Sequence, residues 1–245
     1  MSDLELDKDY KLGMKGKKVR LIQEWLCLRG YHVCIDGEFG PATDRSVRDF
    51  QKSEGIRVDG VVGNRTFAVL VKPMTTALEE IPRAGQSLGQ MVVKYAHRYL
   101  EQHPREIGGQ NKGPWVRLFM NGNEGVGWPW CAGFVSHLLK RACKTMNVSL
   151  PLQTSFSCDL LAASAKEKGI FLKESDVSSP GQIKLGSFFL SRRTTTDWAH
   201  TGVVIQPGGD YFVTIEGNTN DEGSFEGYEV CRRTRGYGQK DFILI

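Results

Sequence analysis

The feature that most constrains this chain is an eight-residue unit that occurs twice. Asp36-Gly37-Glu38-Phe39-Gly40-Pro41-Ala42-Thr43 returns as Asp59-Gly60-Val61-Val62-Gly63-Asn64-Arg65-Thr66, and both copies read Asp-Gly-x-apolar-Gly-x-x-Thr. The Asp-Gly pair and the second glycine are expected to supply turns of positive φ. Each copy then leads into a helix: Pro41 suits a first helical turn and Asn64 can begin the other. Apolar residues at helical spacing (Val19, Ile22, Trp25 and Leu26; Val47 and Phe50 beside Gln51; Phe67, Leu70 and Val71) predict three short helices over residues 10–72. Such a bundle buries one modest core.

The chain has 245 residues, which leaves room for a second, larger domain. Pro73, Pro82 and Gly85 break the periodicity, so residues 73–86 read as a linker. Met91, Val92, Tyr95, Ala96 and Tyr99 mark an amphipathic helix, and the helical pattern returns from Phe134 to Met146. Between them, residues 104–130 read as a long Gly-, Asn-, Pro- and Trp-rich loop region. After Gly186 the pattern changes to short aromatic and β-branched runs: Ser187–Leu190, Thr201–Ile205, Tyr211–Ile215, Tyr228–Val230 and Phe242–Ile245. Helices followed by strands predict an α+β domain with an antiparallel sheet over residues 87–245.

The formal charge of +4 is too small to indicate nucleic acid, although it favours approach to an anionic polymer. No run approaches the roughly 18 apolar residues of a membrane span. The acidic start, Met1-Ser2-Asp3-Leu4-Glu5-Leu6-Asp7, lacks the apolar stretch of a secretory signal, so synthesis in the cytoplasm is expected. The six cysteines are then expected to be free thiols. None forms a Cys-x-x-Cys pair, so no structural metal is expected, and no cofactor is implied. The protein is expected to be a monomer.

Three stretches carry candidate chemistry. In Trp128-Pro129-Trp130-Cys131-Ala132-Gly133-Phe134, a cysteine stands where a loop passes into a helix. There the helix dipole and free N–H groups lower a thiol pKa and can hold an oxyanion. Ala132 and Gly133 are expected to leave room for a substrate carbonyl. In Trp198-Ala199-His200-Thr201-Gly202-Val203, a histidine opens an apolar strand. Ile215-Glu216-Gly217-Asn218 closes the next run, and an antiparallel hairpin would bring Glu216 and Asn218 to His200. Either can orient the imidazole toward a thiol. Trp128, Trp130 and Trp198 are candidate substrate-groove residues. The stretch Asn121-Gly122-Asn123-Glu124-Gly125 offers one carboxylate, too few for calcium.

Two resemblances follow. Val19 to Leu26, Gly30-Tyr31 and the two repeat units with Phe50-Gln51 between them resemble the three-helix peptidoglycan-binding domain of wall hydrolases. Residues from about 88 onward are similar to the CHAP family of papain-like amidohydrolases and peptidases. The similarity rests on Trp130-Cys131-Ala132-Gly133-Phe134-Val135, Ala199-His200-Thr201-Gly202-Val203-Val204 and Glu216-Gly217-Asn218. That resemblance implies Cys131 as nucleophile, His200 as general base and then acid, Glu216 as the orienting group and Asn218 as a supporting partner. Many relatives carry a side-chain amide just before the cysteine, where this chain has Trp130. Together the resemblances imply an enzyme that binds peptidoglycan and cuts one of its amide bonds. A phage endolysin released to the wall through a pore fits this expectation. A delivered antibacterial effector, a wall-binding structural protein with an inactive domain, or an enzyme acting on another amide are the alternatives.

Overall fold

Each copy of the repeat closes around a buried glutamine. The computed structural model describes residues 3–220 and 227–245. Gln23 lies on α1 (Lys17–Leu28) and Gln51 on α2 (Pro41–Ser53), and both are fully buried. The Gln23 carboxamide donates to Asp36 Oδ1 (2.8 Å), the Glu38 carbonyl (3.0 Å) and Thr43 Oγ1 (3.2 Å), and accepts from the Gly37 N–H (2.8 Å). Gln51 does the same with Asp59 Oδ1 (2.9 Å), the Val61 carbonyl (2.9 Å), Thr66 Oγ1 (3.2 Å) and the Gly60 N–H (2.9 Å). A buried amide must satisfy its donors and acceptor, and the Asp, the first Gly and the Thr of each unit do so. Gly37 and Gly60 have φ of 78° and 72°, so the first glycine meets its expected conformation. The second does not: Gly40 and Gly63 are extended residues at φ −83° and −93° that precede α2 and α3 (Asn64–Leu70). At Gly63 a Cβ would come 2.7 Å from Asp9 Oδ1, so its need is for space.

The segment read as a linker begins as a helix, α4 (Lys72–Ala77), because Pro73 fits its first turn and does not break it. Met74, Ala77 and Ile81 are buried. Arg141 holds the Leu78 and Glu79 carbonyls (2.6 and 3.0 Å), and the Ile81 N–H reaches the Tyr95 hydroxyl (3.3 Å). The connection is therefore pinned to the helices that bear Tyr95 and Arg141.

Next comes α5 (Leu88–Glu101), started by a Ser87–Gln90 capping box. The predicted loop region contains one further helix, α6 (Pro114–Phe119), again with proline in its first turn. The long helix α7 (Cys131–Met146) and then α8 (Cys158–Glu167) follow. Among the described residues, six strands form an antiparallel sheet: β1 (Phe171–Leu172), β2 (Phe188–Arg192), β3 (Trp198–Gln206), β4 (Tyr211–Thr219), β5 (Glu229–Gly236) and β6 (Lys240–Ile243), in the order β1-β6-β2-β3-β4-β5. The α+β architecture, helices first and sheet after, is as expected. Helix α7 buries Phe134, Val135, Leu138, Leu139 and Ala142, and packs against α5, β3 and β4.

One continuous apolar cluster runs from α1 through α7 to the sheet. Trp25 of α1 meets Trp115 of α6 edge to face, with ring centroids 6.2 Å apart. Beside them Arg117 binds the buried Glu24 (2.7 Å), Asp3 (2.6 Å) and Glu124 (2.8 Å). Glu124, the one acidic residue of the loop considered for calcium, is thus engaged by Arg117 and by the Gly113 N–H (2.9 Å).

Candidate active site

Cys131 is the first residue of α7, and no side chain caps that helix. The dipole and first-turn N–H groups of α7 therefore face the thiol region directly. The helix is held there by close packing. A Cβ on Gly133 would fall 2.3 Å from Met120 Sδ and 2.8 Å from the Phe119 carbonyl. Gly133 serves the contact between α6 and α7, which corrects the expectation that it makes room for a substrate carbonyl.

His200 comes from β3 and Glu216 from β4, paired antiparallel with Val203 opposite Ile215. Both are buried, and His200 Nε2 lies 2.8 Å from Glu216 Oε2. With Nε2 engaged by the carboxylate, Nδ1 is the ring atom that can serve a thiol. Arg235 of β5 grips the same carboxylate, Nε to Oε1 at 2.8 Å and Nη2 to Oε2 at 2.6 Å. Thr214 adds an O–H bond to Oε1 (2.5 Å). Burial opposes charge on Glu216, but Arg235 and His200 outweigh it and hold the carboxyl at about 2. Burial likewise opposes charge on His200, but the neighbouring Cys131 sulfur and the Glu216 carboxylate raise it to about 9. The Cys131 thiol is held well below its usual range by the neighbouring Cys158 thiol and, against burial, by the nearby His200 and Thr201 N–H. A depressed thiol beside a raised imidazole describes a thiolate–imidazolium pair.

The hairpin thus brings His200 to Glu216, and α7, packed on both strands, carries Cys131 to them. Asn218 lies in the bulge of β4 after Glu216, buried and in the left-handed conformation (φ 56°). Gly217 in the same bulge touches α7: a Cβ there would lie 2.7 Å from Trp130 and 2.9 Å from Phe134. The imidazole is hydrogen-bonded to Glu216, and Asn218 follows two residues later in the same strand.

A cleft of about 490 Å³ opens over Cys131, lined among others by Trp128, Phe156, Cys158, Asp159, Arg193 and Trp198. Trp128 is exposed and meets Phe156 edge to face (6.3 Å). Trp198 is almost fully buried in the cleft wall, its indole N–H on Asp241 Oδ2 (2.9 Å) and Lys166 over its ring. Trp130 does not line the cleft. It is fully buried, stacked on Phe119 (5.4 Å), and its indole N–H binds Glu106 Oε1 (2.8 Å). Adjacency in sequence put Trp130 beside the nucleophile, but the turn into α7 points it to the core.

Arg235 and Cys158 were not anticipated. Arg235 has no local signal, since its place depends on how β5 pairs with β4. For Cys158 a signal existed: Ser157 before a run of Leu161, Ala162 and Ala165 is an N-cap pattern. Its side chain does accept from the Leu160 N–H. Among the described residues, no group of three or more His, Cys, Asp and Glu side chains is arranged to hold a metal ion. No described helix is long and apolar enough to cross a membrane.

Residues 15–70 match the family described as "Putative peptidoglycan binding domain". A zinc D-Ala-D-Ala carboxypeptidase of Streptomyces albus G is 40% identical over 60 residues, 22% of this chain and 23% of that protein. Two solved structures are also similar. One is a fused zinc-dependent amidase/peptidase and peptidoglycan-binding protein of Clostridium acetobutylicum ATCC 824 (46% identity, 26% of this chain and 28% of that one, TM-score 0.26). The other is the SleB N-terminal domain (35% identity, 27% of this chain and 93% of that one, TM-score 0.27). The chain thus spans about a quarter of the length of the first two proteins. The glutamine-centred repeats lie within the residues that match this family.

Proposed function

We propose that this protein is a peptidoglycan hydrolase that cuts an amide bond of the wall with Cys131 as nucleophile, in the manner of a phage endolysin. The observation that carries the reading is the alignment of Cys131 at the start of α7 with the buried His200–Glu216 pair, beneath an open cleft. The peptidoglycan-binding domain supplies the substrate class. Fixed against the second domain, it raises the local concentration of wall polymer at the cleft.

In this mechanism the Cys131 thiolate attacks the amide carbonyl. The first-turn N–H groups of α7, beginning with that of Cys131, stabilise the tetrahedral oxyanion. His200, held as imidazolium by Glu216, gives its proton to the leaving amine, and the C–N bond breaks to leave a thioester. His200, now neutral, takes a proton from water, and the hydroxide releases the acid and restores the thiolate. Glu216 fixes the ring and stabilises its charge, and Asn218 supports the bulge that presents Glu216. Trp128 and Trp198 contribute the apolar walls on which a sugar or stem peptide rests.

The test is mass spectrometry of purified peptidoglycan digested by the wild type and by Cys131→Ala. Free stem peptides plus peptide-free glycan, from the wild type only, identify an amidase. Shortened or un-crosslinked stems still joined to muramic acid identify an endopeptidase. Equal lysis by both proteins overturns the cysteine mechanism, and wall binding without product from either favours a structural role.

A further inference from the structure

The cleft holds a second cysteine that the mechanism above does not use. Cys158 is the first residue of α8, as Cys131 is of α7, so two helix N-termini each present a thiol to the same cleft. Both residues are buried, and the two sulfurs are 3.9 Å apart, within hydrogen-bond reach for sulfur and far from a disulfide length. We propose that Cys158 is a positioning residue for the nucleophile: its S–H donates to the Cys131 sulfur and stabilises the thiolate. This rests on the assignment of Cys131 as nucleophile.

The surroundings of the two sulfurs fix which is donor and which acceptor. Cys131 is faced by His200 and the Thr201 N–H from β3, with Glu216 and Arg235 behind the imidazole. All the direct contacts favour its anion. Cys158 is faced by Cys131, by Asp159 on its own helix and by Asp197 before β3, while Arg193 of the cleft is exposed and paired with Asp197 (3.3 Å). The Cys131 sulfur, burial and the two aspartates push the Cys158 thiol well above its usual range, so it keeps its proton. A protonated thiol beside a thiolate can point its hydrogen only one way to advantage. An S–H is a weak donor, but an ionised acceptor in a buried cleft strengthens the bond.

The experiment titrates Cys131 itself and needs no wall substrate. Iodoacetamide alkylation rates of Cys131 are measured against pH by peptide mass mapping in the full-length wild type, Cys158→Ala, Cys158→Val and Cys158→Ser. Thermal unfolding shows which variants fold. The expected result is an apparent Cys131 pKa higher by about one unit in Ala and Val, a roughly tenfold loss of thiolate on the acidic side. The hydroxyl of Ser restores most of it. A merely structural Cys158 would alter stability without moving this titration. An unchanged titration in Ala and Val, or a Ser variant no better than Ala, overturns the proposal while leaving the nucleophile assignment intact. A wild-type Cys131 that titrates like an ordinary thiol overturns both.

Discussion

Arg235 clamps Glu216 with two N–H···O bonds, at 2.8 and 2.6 Å, from the strand next to the one that bears the carboxylate. Glu216 is therefore held from both sides, by the guanidinium and by the His200 imidazole. Arg235→Leu would remove one positive charge and leave the Glu216 field acting on His200 alone. The His200 pKa should then rise above about 9, and the basic limb of the pH–rate profile should move to higher pH. Loss of the clamp also loosens the ring, so kcat is expected to fall roughly 10- to 100-fold. Rates of wall solubilisation between pH 5 and 11 check both effects. An unmoved basic limb would mean that Arg235 does not act through Glu216.

The wild-type profile itself has a predicted shape. In the proposed mechanism, activity needs the Cys131 thiolate and the His200 proton together. Cys131 is held well below the usual thiol range, so the pair is present through neutral pH. His200 keeps its proton until about 9, so kcat/KM is lost as pH rises through that value. Glu216→Gln should pull the basic limb down, because the imidazolium loses its anionic partner, and should lower kcat by roughly 10³- to 10⁴-fold. A Gln variant with the wild-type basic limb would argue that Glu216 is only a structural contact.

Gln51→Leu tests the repeat. The substitution removes the partner of two backbone N–H groups, a carbonyl and two side-chain oxygens in a buried loop. Each buried group left unsatisfied costs about 1–3 kcal/mol. A loss of roughly 3 kcal/mol in chemical denaturation is expected, together with loss of binding to insoluble peptidoglycan. Gln23→Leu should behave alike, since its bonds repeat the pattern.

Arg117→Leu tests the coupling of the two domains. It strands the buried Glu24 without its closest cation. The expected cost is about 2–3 kcal/mol. Because the contact joins the domains, calorimetry should show one transition in the wild type and two in the variant. Catalysis on a small soluble amide should survive while wall solubilisation falls. A single transition in the variant would mean that the shared apolar cluster around Trp25 and Trp115 couples the domains without the ion pairs.

Local chemistry was legible in the sequence wherever contacts lie close along the chain. The Asp-Gly-x-apolar-Gly-x-x-Thr units, the stripes of the first three helices and the strand runs all encode turns or faces that form within a few residues. The His200–Glu216 meeting was legible too, since a hairpin joins successive strands and its ends must lie together. Three things were decided only by tertiary structure. Which way Trp130 turns depends on α7 packing through Gly133 onto α6, which sends the indole to Glu106 and the core. Pro73 read as a breaker and residues 104–130 as a loop region because the helices found there, α4 and α6, gain their stability from burial against distant partners. Arg235 and Cys158 reach the site through strand pairing and through the meeting of two helix ends, at separations of 19 and 27 residues from Glu216 and Cys131. Side-chain order along a chain fixes local conformation, but contacts across such distances are set only when the sheet and helices pack.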